Sequence, residues 1–144
     1  MQPNTRPSLR ISRAQVILLV GDALIFVFFA VGGRATHEMG LGASPILTVL
    51  TVAAPFAVPW FILAWVLEAF QSDTILHPRR MLFTTAFAWS CGGSIGLVAR
   101  TMILQRPLLP AFAAAVLGIN GILLLSWRFI YSLIAARAKS KALV

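Results

Sequence analysis

QVILLVGDALIFVFFAVGGRATHE, residues 15–38, decides the fold. Between Arg13 and Arg34 stand 20 residues, and Asp22 is the only charged one among them. At about 1.5 Å of rise per residue, such a run reaches across the hydrocarbon of a bilayer. It reads as a membrane-spanning helix with a buried acid. An ionised side chain at that depth costs several kcal/mol unless something answers it, so the rest of the chain must supply a partner.

The totals agree. Of 144 residues 59% are hydrophobic and only 11% charged, against about 25% charged in an ordinary soluble domain. Mean hydropathy is +0.88. Twelve Lys and Arg against four Asp and Glu give +8. In a soluble protein that excess would point to nucleic acid. Here the positive residues sit at the ends of apolar runs, where they orient helices and meet anionic headgroups, so membrane lipids are the expected partners and no nucleic acid is. Cys91 stands alone. It forms no internal disulfide and no four-cysteine metal site, and it excludes a thiol oxidoreductase that needs paired cysteines. Arg6, Arg10 and Arg13 before an apolar stretch would also suit a cleaved leader. Asp22 interrupts that stretch, which is long for a leader, so the segment is expected to be retained.

Three further spans follow. Residues 1–12 read as a cytoplasmic arm, the first helix as 13–33, the second as 44–69, the third as 81–104, the fourth as 108–136, and 137–144 as a basic cytoplasmic tail. Asp22, Phe26, Phe29 and Gly33 form the stripe of the first helix expected to face protein, with Val20, Val27 and Val31 toward lipid. The second helix contains Pro55 and Pro59 before Trp60. Each proline removes a donor and displaces the carbonyl four residues earlier, here those of Thr51 and Pro55, which predicts a kink packed against protein. A kink that shapes the bundle is a simpler reading than a broken-helix substrate site. Gln71 to Arg80 reads as an ordinary cytoplasmic turn. Thr85, Ala88, Gly92, Gly96 and Arg100 mark one face of the third helix, and Ala114, Gly118, Gly121 and Arg128 one face of the fourth; small residues there let helix backbones approach closely.

The expected fold is therefore all-α, a polytopic membrane four-helix bundle. The arm, the middle loop and the tail carry eight Lys and Arg, the opposite side three (Arg34, Arg100, Arg106), which places both termini in the cytoplasm. Asp22 is nine residues inside Arg13, and Arg128 nine inside Arg137. Both then lie at one depth, about 13 Å from the basic collars, and an Asp22–Arg128 ion pair is the leading structural expectation. Asn120 and the carbonyls loosened by the prolines are candidates for further partners. The alternative is that Arg128 snorkels to the interface and leaves Asp22 without it.

At the outer face Arg34, His37, Glu38 and Arg100 form a second candidate cluster, able to take an anionic headgroup or solute, with a solvated loop and one salt bridge as the plainer account. His37 and His77 fall on opposite sides, so they form no pair of haem ligands. Ser90, Cys91, Ser94 and Ser126 are nucleophiles by type, but no histidine lies within a span to activate them. No enzyme, cofactor or metal site is expected.

The chain resembles a family of small bacterial and archaeal membrane proteins known only as a domain of unknown function. The resemblance rests on Asp22, on Phe29 with Gly33-Arg34-Ala35-Thr36-His37, on Ala54-Pro55-Phe56 with Trp60, on Gly96 to Arg100, and on Trp127-Arg128. It covers nearly the whole chain. Ser126 stands where a glycine is expected before Trp-Arg. The resemblance implies the architecture and a shared skeleton of Asp22, Arg34, His37, Pro55, Trp60, Arg100 and Arg128, and it implies no activity. The expected role is an accessory, assembly or lipid-binding component in the plasma membrane of a prokaryote, as a homo-oligomer or within a larger membrane complex. A small-solute or ion transporter is the runner-up, against which an arginine level with the one buried acid argues.

Overall fold

A computed structural model describes residues 11–35, 44–105 and 107–141, all of them helix, turn or short connection. The helices are α1 (Arg13–Ala35), α2 (Pro45–Val66), the short α3 (Ser72–Leu76), α4 (Pro78–Leu104), α5 (Pro110–Ala115) and α6 (Gly121–Lys141). A π-helical segment, Val116–Asn120, joins α5 to α6 without a break, so the last three form one long rod. Four stretches are long and apolar enough to cross a membrane: Arg13–Gly33, Val49–Val66, Pro78–Ile103 and Pro110–Lys141. The protein is a multi-pass membrane protein built as a helical bundle.

Around the bundle α1 packs on α2, α2 on α4, α4 on α6, and α6 back on α1, so consecutive spans are neighbours. Leu18, Phe26, Phe56, Trp60, Met81, Trp89 and Leu124 fill the centre. Val20, Val27, Phe28, Phe83, Phe87, Val98, Ile122 and Ile130 point outward. An apolar outside suits a bundle whose solvent is lipid.

Contact between α2 and α4 is set by the glycines of α4. A Cβ on Gly92 would lie 3.3 Å from the Trp60 backbone, and one on Gly96 would lie 2.5 Å from the Phe56 ring and 2.8 Å from the Pro55 carbonyl oxygen. Pro59 deprives that carbonyl of its helical donor. The glycine face of α4 therefore covers the polar atom that the proline exposes, while α2 runs unbroken through both prolines.

Ser44 caps α2, with its hydroxyl oxygen 3.5 Å from the Leu47 amide, and Pro45 occupies the first turn. The helix ends three residues earlier than its apolar run suggests. Glu68 turns left-handed at φ 60°, its amide donates to Trp65 O at 3.1 Å, and the Ala69 amide donates to Ala64 O at 2.8 Å. That is a Schellman turn with glutamate where glycine is usual. It sends Ala69 and Phe70 back into the bundle, where both are buried.

Residues 71–80 also depart from expectation. Instead of an open turn they hold α3 and the first residues of α4, which begins at Pro78 rather than Met81. Thr74 and Ile75 are buried, and Ser132 of α6 donates to the Ile75 carbonyl at 2.6 Å. Outside, Asp73 pairs with Arg80 and contacts His77. The segment plugs one end of the bundle.

Two small-residue stripes turn out differently. On α4, Thr85, Ala88, Gly92 and Gly96 are all buried. In the last span Gly121 packs against Trp89, whereas Gly118 has open space where a Cβ would be, and Ala114 is exposed. The π segment places an extra residue in its turn and rotates everything before it onto another face. On α1, Phe26 is buried and Phe29 half-buried against the core, but Gly33 is exposed, with nothing near its missing Cβ.

Candidate functional site

Asp22 and Arg128 meet in the bundle, both with no exposed surface. Arg128 presents the side of its guanidinium. Nη2 donates to Asp22 Oδ2 at 2.6 Å, and Nε lies 3.1 Å from Oδ2 and 3.2 Å from Oδ1. Trp60 donates its indole N–H to the same Oδ2 at 3.1 Å. The remaining side of the guanidinium faces the Schellman turn: Nη1 donates to the Ala69 carbonyl at 3.2 Å and lies 3.8 Å from Met81 Sδ. Aromatic rings cover it, Phe70 at 4.5 Å and Trp60 at 4.9 Å from Cζ to centroid.

Each part has a local cause. Gly21 precedes the acid, and a Cβ there would lie 2.4 Å from the Trp127 ring, so the absent side chain lets α6 close on α1 beside the pair. Burial forces the indole of Trp60 to find an acceptor, and Asp22 is that acceptor. A buried cation needs most of its donors used, and the turn at Glu68 delivers a carbonyl that no helix interior would offer. Arg128 does not snorkel.

The structure does not join Asn120 to this pair. Asn120 is buried two helical turns away at the end of the π segment, and neither its Oδ1 nor its Nδ2 has a hydrogen-bond partner among the described residues. Thr74, Thr85 and the indole N–H of Trp127 are likewise buried without one. Pro55 and Pro59 lie inside α2, and the Thr51 and Pro55 carbonyls accept nothing from Arg128, whose donors go to Asp22, Ala69 and Met81. Of the outer cluster, Arg100 lies with Cζ 4.0 Å over the Phe112 ring. Arg34 closes α1, and its side chain, with His37 and Glu38, lies outside the described residues.

Sequence reasoning missed Ala69, Phe70 and Met81, because no charge or motif marks them. For Trp60 a signal existed. A tryptophan deep in a span needs an acceptor, and the bundle interior offers one carboxylate.

The hydroxyls of Ser90, Ser94 and Thr101 are spent locally. Ser90 donates to Ala86 O, Ser94 to Ser90 O, and Thr101 to Val98 O. Such bonds are the usual occupation of small polar residues in membrane helices. Among the described residues no group of three or more His, Cys, Asp and Glu is placed to hold a metal. Chemically the arrangement is a closed ion pair, with the acid's two oxygens and the guanidinium's sides all engaged.

A family model described as a protein of unknown function, DUF3054, matches residues 19–131. The chain belongs to that family. No curated protein and no solved structure matches it. The matched range of this DUF3054 member begins before Asp22 and ends beyond Arg128, so both halves of the buried pair fall inside the family's own domain.

Proposed function

We propose that this chain is a non-enzymatic protein of a prokaryotic plasma membrane, with both termini cytoplasmic, that serves as an accessory, assembly or lipid-binding component. One observation carries the reading. The most elaborate polar arrangement among the described residues is sealed on every side by Trp60, Ala69, Phe70 and Met81, and its chemistry is used up in holding α1, α2 and α6 together. A carboxylate fixed by an arginine and an indole serves as a lock better than as a shuttle. Partners follow from the setting: membrane lipids, and a second copy or a larger membrane complex.

Transport by an oligomer is the second reading, and Asn120 favours it. A buried carboxamide without a described partner is the kind of group that lines a path for a polar solute. The two readings part on Asp22→Asn. If the pair is a lock, Asp22→Asn and Arg128→Ala each lower the midpoint of thermal unfolding in detergent, and Asp22→Arg with Arg128→Asp recovers part of the loss. If the chain is a carrier, Asp22→Asn leaves the fold intact and abolishes pH-dependent solute flux into proteoliposomes, an outcome that overturns the structural reading.

A further inference from the structure

We propose that the groove between the start of α4 and the far part of α6 is a seat for one phospholipid of net negative charge. The proposal rests on the membrane reading above and adds a ligand to it. The groove, of about 450 Å³, is lined by His77, Pro78 and Arg79 on one side and by Phe129 and Leu133 of α6 on the other. The wall of the groove is almost wholly apolar, with an aromatic and an aliphatic side chain on the α6 side, and the exposed Arg79 stands at its rim at the end of a span. Arg137 is one helical turn beyond Leu133 on the same side of α6, and it is exposed.

The charges are not spent within the protein. Arg80 is held by Asp73 and Glu68, but neither Arg79 nor Arg137 has a carboxylate partner among the described residues. The amides add to this. His77 caps α4 without a side-chain hydrogen bond to it, and Pro78 fills the first turn, so the early N–H groups and the helix dipole face the rim. A free phosphate would use the rim and gain nothing from Phe129 and Leu133. A zwitterionic lipid would use the apolar wall and bring a third positive charge to a site that already has two. An anionic phospholipid matches both: its phosphodiester meets Arg79 and Arg137, and an acyl chain lies along α6.

The test uses the full chain in nanodiscs of phosphatidylcholine doped with phosphatidylglycerol, with retained lipid read by native mass spectrometry. The parent protein is expected to keep phosphatidylglycerol in preference to phosphatidylcholine. Arg79→Gln with Arg137→Gln should lower that retention about tenfold. Leu133→Trp, which fills the groove at constant charge, should lower it too. Arg13→Gln with Lys139→Gln, which removes equal charge elsewhere, should leave it unchanged. Equal retention of the two lipids by the parent overturns the proposal. So does an equal loss from both charge pairs with no effect of Leu133→Trp, since that is diffuse attraction to the membrane surface. Should the double variant not fold, the parent and Leu133→Trp still decide. Every variant keeps Asp22 and Arg128, so an empty groove in a protein of unchanged melting point refutes the lipid seat alone.

Discussion

Arg128 is the residue on which most of the interior depends, because its guanidinium bonds in two directions at once. A lysine in its place keeps the charge but cannot face Asp22 side-on while reaching the Ala69 carbonyl. Arg128→Lys is therefore expected to destabilise the bundle by about 2 kcal/mol or more, read as thermal unfolding in detergent. Trp60→Phe keeps the ring over the guanidinium and removes the N–H given to Asp22. It should cost about 1–3 kcal/mol; no change would mean that Arg128 alone satisfies the carboxylate. The pair itself was legible in the sequence, since each residue is a lone charge in an apolar run and stands nine residues from a basic collar. Its supporting atoms were not. Ala69 contributes a carbonyl, Phe70 a ring face and Met81 a sulfur, and none of these depends on a side-chain type that announces itself.

Among the elements, α2 and α4 give a contrast that measurement can resolve. Gly96→Ala drives a methyl group into Phe56 and the Pro55 carbonyl and is expected to cost about 1–3 kcal/mol. Gly118→Ala meets open space and should be neutral or stabilise by up to about 1 kcal/mol, the ordinary gain of alanine in a helix. At the end of α2, Glu68 holds a left-handed conformation that glycine would adopt without strain. Glu68→Gly should raise stability by about 0.5 kcal/mol, its lost contact with Arg80 being exposed and long at 3.7 Å. The sequence made the spans readable through their uncharged lengths. It concealed the helix end at Glu68 because a glutamate there carries no turn signal, and it concealed α3 because Ser72 to Leu76 is too short for periodicity to register. The π segment was hidden for a related reason: a wheel drawn at constant pitch cannot show a change of pitch.

For the whole molecule, the plug made by Ala69, Phe70 and α3 closes the bundle at the end where Arg79, Arg80, Arg137, Lys139 and Lys141 gather. The orientation proposed from the charge bias has that end in the cytoplasm. With Cys91 replaced by alanine, cysteines introduced at Ser140 and at Ser72 are expected to react with an impermeant maleimide only after cells are opened. Labelling of either in intact cells would reverse the assigned orientation. The fold class and the number of spans came through from composition and spacing alone, whereas the manner in which one end is sealed required the packing of a connection that, by its residues, looked like any polar loop.

The π turn between Val116 and Asn120 holds one residue more than its rise needs. Such a turn is what remains when a helix accepts a single-codon insertion without moving its two ends. Removing Gly118 should let the rod close into regular α-helix, with α5 keeping its face relative to α6 and Arg128 keeping its place. It follows that two members of the family can differ in length by one residue here and share the same interior, and that an alignment gap belongs in these five positions rather than in the connections on either side.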